Sequence, residues 1–176
     1  MITSLIDGAT RDTQSITADW QLKQDLIDGA QVYEVKNVIK TGKGMLTEVF
    51  RKDWGLDDGV VDQVFQNFLE PGQISGWHVH EHTTDRIFVN SGQLRIVLYD
   101  GRTGSGSHGR INTFCFGDRR PALVIIPPGV WHAVANYSSR PATLLNLVDR
   151  AYDYEAPDHW RLPITTDKIP YSFDGP

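Results

Sequence analysis

The chain has 176 residues, the length of one ordinary domain, and a chain of this size buries about 70% of its unfolded surface. Hydrophobic residues make up 40% and charged residues 22%, so the composition is that of a folded globular protein and excludes disorder. A net charge of −5 excludes a general nucleic-acid or anionic-membrane binder, although a local patch of arginine could still bind a small anion.

The cysteine content and the hydropathy bear on the compartment. Cys115 is the single cysteine, so no disulfide can form within the chain, which fits a reducing compartment. No apolar run approaches the roughly 20 residues of a membrane span, and residues 1–14 lack a basic start followed by an apolar run. We therefore expect a cytoplasmic protein with no membrane partner.

The predicted elements begin with a polar N-terminal arm over residues 1–30, which includes a short helix around residues 19–27. From Gln31 the chain becomes strand-like, with short runs rich in Val, Ile, Leu and Phe between turn signals such as Ser91-Gly92 and Pro128-Gly129. The predicted strands are 31–39, 45–51, 61–69, 85–90, 93–99, 111–116, 122–126, 130–137 and 142–148, with a histidine-bearing strand before residue 85.

The number and spacing of these strands indicate the fold class. Many short strands, no long amphipathic helix and no internal repeat predict an all-β sandwich or barrel. After Asp149 the chain becomes polar and aromatic again, and three prolines limit helix formation. We expect one barrel over residues 31–165 and a short C-terminal tail over residues 166–176.

Two segments of the chain contain the histidines that are candidates for catalysis or metal binding. His78 and His80 are two residues apart, so on a strand they share one face. Asp85 returns across a turn on the adjacent strand, and His132 follows the tight turn at 127–129. Two or three neutral imidazoles and one carboxylate suit Zn, Fe, Ni or Mn. The pattern predicts a metal or catalytic site built from His78, His80, Asp85 and His132.

The other histidines carry weaker signals. A single buried histidine is more often a hydrogen-bonded core residue than a ligand, but three at these spacings are harder to explain in that way. His82 shares the face of His80 only if the strand continues into 83–85, where a turn is expected. His108, among glycines and serines, and His159, near the C-terminus, are expected to be solvated or to cap backbone groups.

Several other side chains have a structural interpretation beside a functional one. Trp77 and Trp131 each precede a site histidine, so they point to the opposite face, towards a core or an interface. Cys115 lies in the middle of a strand and is expected to be an inert buried thiol. The basic residues that could hold a diphosphate, each also explained as a solvated charge, are Lys43, Arg51, Arg86, Arg95, Arg119 and Arg120.

The histidine segments resemble the paired motifs of the cupin superfamily, G-x5-H-x-H-x4-E-x6-G and P-x-G-x2-H-x3-N. Every spacing matches, from Gly72 to Gly92 and from Pro127 to Asn136. The departure is Asp85, where the family usually carries the longer Glu. The resemblance implies a double-stranded β-helix, the cupin jelly-roll barrel.

Over most of residues 35–165 the chain is similar to the dTDP-4-dehydrorhamnose 3,5-epimerase family. The similarity lies in Lys43-Gly44 with Glu48-Val49-Phe50, in the histidine strand, in Ile126-Pro127-Pro128-Gly129 with His132, and in 151–157. The resemblance implies a homodimeric, metal-free cupin that inverts carbons next to a 4-keto group of a nucleotide-linked sugar. Its partner would be a small sugar nucleotide or keto-sugar.

The resemblance also implies roles for individual residues. His78 matches the family's catalytic base, His132 matches the histidine of its second motif, and Tyr154 matches an aromatic residue near the sugar nucleotide. Lys43, Glu48 and Phe50 match a strand that holds substrate, partly across the dimer. For Arg119 and Arg120, which precede a strand, substrate binding and a solvated charge are equally good interpretations.

The departures from the family leave alternatives open. Ser75 stands where the family has an arginine that grips pyrophosphate, Asp85 where it has a lysine, and 144–149 lack its catalytic tyrosine. A metal could replace the lysine, but a His78 that binds metal cannot take a proton, and Glu81, His82 or Tyr154 would then carry it. The rival functions are a metal-dependent cupin of another class, such as a dioxygenase or lyase, and a non-catalytic sugar-binding cupin.

Overall fold

The computed structural model of the chain describes residues 6–19, 23–39, 42 and 44–174, and for residues 37–39 the backbone alone. Twelve β-strands and one short 3-10 helix lie within these ranges. The strands are β1 Gln31–Glu34, β2 Asn37–Ile39, β3 Met45–Thr47, β4 Gln63–Leu69, β5 Ile74–Val79, β6 Asp85–Ser91, β7 Gln93–Asp100, β8 Ile111–Gly117, β9 Ala122–Ile126, β10 Val130–Ala135, β11 Ala142–Val148 and β12 Trp160–Arg161, and the 3-10 helix is Lys52–Trp54.

Ten of these strands form two five-stranded antiparallel sheets. Sheet one has the order β1-β9-β6-β11-β4, and sheet two has the order β12-β5-β10-β7-β8. The strands β2 and β3 pair separately as a small hairpin. The neighbours in each sheet are mostly distant in sequence, as in a jelly roll, so the predicted all-β cupin fold is confirmed.

The main hydrophobic core lies between the two sheets and is built by alternate residues of their strands. Ile87 and Val89 of β6 face Ile96 and Leu98 of β7, and none of the four is more than 3% exposed. The strict alternation is what an antiparallel strand with one face in the core requires.

The outer faces of both sheets are also covered. Trp77, buried on the outer face of sheet two as predicted, packs against Phe173 of the C-terminal segment with ring centroids 5.4 Å apart. On sheet one, Leu123 and Ile125 pack against residues of the 49–56 segment. Because β9 is covered on both faces, all five of its residues are buried and its sequence is continuously apolar.

Two motif glycines allow the tight turns that bring the histidine strands together. Gly92, between β6 and β7, has a φ of 73°, and a Cβ there would lie 2.8 Å from the Cβ of Ala142. Gly129, between β9 and β10, has a φ of 79°. Both conformations favour glycine, which explains why the motif has glycine at these positions.

The predicted helix around residues 19–27 is wrong for the part of it that is described. Residues 23–27 are irregular. Their backbone groups bond to side chains of the barrel instead of to each other: Asn112 Oδ1 accepts the Ile27 N–H at 2.8 Å, and Asn112 Nδ2 donates to the Asp25 carbonyl at 3.0 Å.

Two further predictions need correction. The strand predicted over 45–51 ends at Thr47, since the chain turns into the 3-10 helix, where Arg51 bonds to Asp53. Cys115 is exposed, not buried, because Phe114 and Phe116 on either side of it on β8 take the core face.

Candidate functional site

A cavity of about 590 Å³ opens between the sheets at the end where β5, β6 and β10 meet the segment that follows β11. Five of the six histidines of the chain line it. They are His78, His80, His82, His132 and His159.

Three of the predicted ligands converge at one point of this cavity. His80 follows β5, Asp85 begins β6 and His132 lies on β10. Asp85 Oδ2 lies 3.5 Å from His80 Nε2 and 3.7 Å from His132 Nε2, and one ligand atom of each residue falls within 4.8 Å of the others. The spatial grouping of these three residues therefore follows the sequence prediction.

Hydrogen bonds orient each member of this group. The His132 Nδ1–H donates to the Val130 carbonyl at 3.2 Å, and the His80 Nδ1–H donates to the Asp158 carbonyl. A carbonyl can only accept, so each neutral ring carries its lone pair on Nε2, which faces Asp85. Asn146 Nδ2 donates to Asp85 Oδ1 at 2.6 Å and leaves Oδ2 directed at the two rings.

The electrostatics of the group follow from its burial. Asp85 and His132 are 2% and 6% exposed. Burial lowers the pKa of His132, and the Asp85 carboxylate only partly offsets this effect. Two imidazole lone pairs and a carboxylate oxygen therefore face one another, an arrangement that needs a proton or a cation between them to be stable.

His78 lies beside this group and outside it. Its ring centroid is 6.0 Å from that of His132 and 4.6 Å from that of His159. Within the described part of the chain, the buried Nε2 atoms of His78 and His159 have no hydrogen-bond partner. Burial lowers the pKa of His78 to about 3, and the charges of His132, His159 and Arg161 add to this effect.

His159 was expected to be solvated or to cap backbone groups, and its place in the cavity wall is a correction. It is half-buried, and burial is the first cause of its lowered pKa. It reaches the site because Asp158 ties its segment to the turn after β5. The two Asp158 oxygens accept the N–H groups of Glu81, His82 and Thr83 and the Thr83 hydroxyl, at 2.7–3.0 Å.

The remaining predicted site residues lie away from this chain's cavity. Tyr154 is 86% exposed and does not line it, whereas Tyr152 does, with its ring 5.2 Å from that of Tyr154. Glu48 pairs with Arg51 at 3.1 Å. Phe50 packs on the outer face of sheet one.

The basic candidates are also outside the cavity. Arg120 pairs with Glu34 and lies over the Phe116 ring, and Arg119 is exposed. Arg86 is fully buried and bonds to Asp57 at 2.5 Å. Lys43 lies outside the described residues.

Sequence reasoning missed several residues of the cavity wall, among them Asp158, His159 and Arg161. They follow an irregular stretch of chain with no hydrophobic period, so no pattern assigned them to a strand. The signal available was the pairing of an acidic residue and a histidine in Asp158-His159 immediately before an aromatic, Trp160.

Comparison with known proteins identifies the family. The family described as "Polysaccharide biosynthesis C-terminal domain" matches residues 40–160. This chain belongs to that family. It is 32% identical, over 69% of its own length and 78% of the other chain, to a probable low-salt glycan biosynthesis epimerase of Haloferax volcanii.

Solved structures agree with this assignment. A dTDP sugar isomerase of Desulfovibrio desulfuricans is 27% identical, with a TM-score of 0.79 and coverage of 85% of this chain and 94% of the other. A dTDP-4-dehydrorhamnose 3,5-epimerase of Bacillus anthracis, 19% identical with a TM-score of 0.71, shares the fold over 81% and 83% of the two chains. The predicted likeness to these epimerases is confirmed, and so is the prediction of a sugar epimerase or isomerase.

No helix among the described residues has the length and hydropathy that a membrane crossing requires.

Proposed function

We propose that this protein epimerises a nucleotide-linked keto-sugar by removing a proton from a carbon next to the ketone and returning one to the opposite face. The observation that carries the proposal is the buried, unpartnered Nε2 of His78 in the wall of the cavity, among the residues that are described. The epimerase relative and the dTDP sugar isomerase support the choice of reaction and of substrate class.

Proton abstraction next to a ketone needs a base and a group that stabilises charge on the ketone oxygen. His78 serves as the base, because no described group of the protein uses its Nε2 and the burial that lowers its pKa keeps the ring neutral and able to accept a proton. It lies outside the group of His80, Asp85 and His132, so the base and the charge-stabilising group are different residues. Tyr152 lines the cavity, whereas Tyr154 does not, and it returns a proton to the opposite face of the carbon.

His80, Asp85 and His132 fit a divalent cation such as Zn, Fe, Ni or Mn. Their tautomers and the Asn146 hydrogen bond already direct two imidazole lone pairs and one carboxylate oxygen to a common point. When bound, such an ion supplies Lewis-acid charge next to a ketone oxygen. If the protein works without metal, a proton held among these three residues supplies the positive charge instead.

The proposal also includes a homodimer in the cytoplasm. The strand β4 is an edge of sheet one, and its outward Val64 and Phe68 are 53% and 52% exposed. A second copy would cover this apolar edge. The positions of Glu48 and Phe50 outside this chain's own cavity agree with a role in the site of the second copy. Light scattering at micromolar concentration tests the dimer, and a monomer would contradict it.

The test of the reaction is solvent-deuterium incorporation into dTDP-4-keto-6-deoxyglucose, followed by mass spectrometry. The native protein is expected to exchange carbon-bound hydrogen, and His78→Asn to lower the rate by about 100-fold or more, the usual range for a general base. His108→Asn, at an exposed histidine outside the cavity, is the matched control. If His78→Asn exchanges hydrogen at the same rate as the native protein, His78 is not the base. No exchange with any keto-sugar nucleotide would refute the function.

A further inference from the structure

Two arginines at the open end of the cavity have no part in the chemistry described so far. Arg161 lies on β12, directly opposite His78 of β5 in the antiparallel register. Side chains of directly opposed residues project from the same face of a sheet, so Arg161 extends towards the cavity, which it lines. Arg150 follows β11 and lines the same opening, and both arginines are exposed.

Most of the hydrogen-bonding capacity of these guanidinium groups is unused. Arg150 Nε donates to the His82 carbonyl at 3.1 Å, which fixes the side chain and, among the described residues, leaves its two terminal nitrogens unpaired. In the described part of the chain, neither arginine has a carboxylate within ion-pair distance. The arginines that are each paired with an acidic side chain are, by contrast, Arg51, Arg86, Arg102 and Arg120.

The carboxylates that line the cavity are engaged elsewhere. Each accepts a hydrogen bond from the protein itself; they are Asp62, Asp85, Asp153 and Asp158. At least one oxygen of each is therefore held by the protein, and none of these four carboxylates is paired with Arg150 or Arg161. On the β5 wall, Ser75 offers only a hydroxyl, so an anionic ligand would have to take its cationic partners from Arg150 and Arg161.

We propose that Arg161 and Arg150 form a diphosphate subsite that holds a nucleoside diphosphate across the cavity opening, with the linked sugar directed inward to the histidines. The inference rests on the proposed function for its substrate class. A guanidinium presents paired donors that match two phosphate oxygens, and two of them suit a diphosphate. Because Arg161 is opposite His78, a diphosphate held there places the attached sugar next to the base.

The experiment measures equilibrium binding by calorimetry for three probes: dTDP, inorganic diphosphate and thymidine. Native protein is expected to bind dTDP and diphosphate with affinities that fall as NaCl rises. Arg161→Gln is expected to weaken dTDP binding by about 10- to 100-fold, as for loss of a charge-assisted bond, and to flatten the salt dependence. Arg150→Gln is expected to act in the same direction, and neither variant should change thymidine binding.

Two control variants test whether the diphosphate lies at these arginines and nowhere else. Arg140→Gln removes an exposed arginine outside the cavity and is expected to bind dTDP as the native protein does. If Arg119→Gln weakens dTDP binding and Arg161→Gln does not, the diphosphate binds elsewhere and the inference is overturned. Native dTDP affinity in both cavity variants, or no binding of dTDP to native protein, would also overturn it.

The same measurements distinguish failure of the subsite from failure of the function. If native protein catalyses exchange but the KM of Arg161→Gln is unchanged, the subsite is wrong and the epimerase stands. If native protein shows no exchange but Arg161→Gln loses dTDP binding, the subsite stands and the reaction is wrong. Circular dichroism confirms that each variant is folded.

Discussion

Replacement of Asp158 by alanine tests how the segment after β11 completes the site. The Asp158 carboxylate accepts four hydrogen bonds from the turn after β5, two of them from Thr83, which is 8% exposed. In Asp158→Ala the N–H groups of exposed Glu81 and His82 regain water, but the two donors of buried Thr83 do not. An unsatisfied buried donor costs about 1–3 kcal/mol, so we expect a loss of about 2–4 kcal/mol in the free energy of unfolding.

The same change is expected to reduce activity. The Asp158 carbonyl fixes the His80 tautomer, and the next three residues bring His159 and Arg161 to the cavity. If the segment shifts, these contacts are lost together, and kcat/KM for exchange is expected to fall by about 10-fold or more, the usual effect of a small misplacement of catalytic groups.

The assay pairs urea denaturation, followed by tryptophan fluorescence, with deuterium exchange. Asp167→Ala is the matched control, because Asp167 is exposed, lies outside the cavity and, among the described residues, forms an ion pair with its neighbour Lys168 alone, while the charge change is the same. Asp158→Asn, which keeps one acceptor oxygen, is expected to fall between Asp158→Ala and the native protein. Equal stability and equal activity of the two alanine variants would refute the anchoring role of Asp158.

Three further predictions concern metal binding and stability. Purified protein is expected to hold about one divalent ion per chain by plasma mass spectrometry, and His80→Asn to hold almost none. Burial raises the pKa of the Asp100 carboxyl, but hydrogen bonds from Arg102, Ser105 and Ser107 outweigh burial and lower the pKa overall. The stability that these hydrogen bonds contribute is present above the unfolded-state pKa of about 3.9 and is lost as the pH falls below that value. Arg86→Met leaves Asp57 unpaired and is expected to lower the unfolding free energy by about 3 kcal/mol.

Each of these has a result that would contradict it. Metal content equal in native protein, His80→Asn and the control His108→Asn would point to adventitious ion. Asp100→Asn is expected to flatten the loss of stability in acid, and an unchanged acid profile would remove Asp100 as its cause. A stable Arg86→Met would mean that the 57–60 segment does not depend on this buried cation.

The grouping of the histidines shows how much of the site can be predicted from residue spacing alone. The separation of two residues places His78 and His80 on one face of a strand, and the motif glycines predict the turns that return Asp85 and His132 beside them. Two such residues are about 7 Å apart along a strand, and the directions of their side chains decide whether both imidazoles reach one point. Which of them joins Asp85 depends on side-chain direction, and the structure selects His80.

The motif matches away from the histidines were less informative. Glu48, Phe50 and Tyr154 match positions of the epimerase family, yet none of them lines this chain's cavity. A pattern shows which residue types occur along a strand or a loop. It does not show which face is covered by the same chain and which is left for a second copy.

The sequence by itself determined the all-β class, most of the strands and four of the residues that line the cavity, because strand periodicity and turn chemistry are local. Only the tertiary structure decided that Asp158, His159 and Arg161 complete the wall, since an irregular segment has no period from which its position can be read. Their position depends on hydrogen bonds between residues more than 70 positions apart in the chain. Such contacts exist only once the barrel has formed.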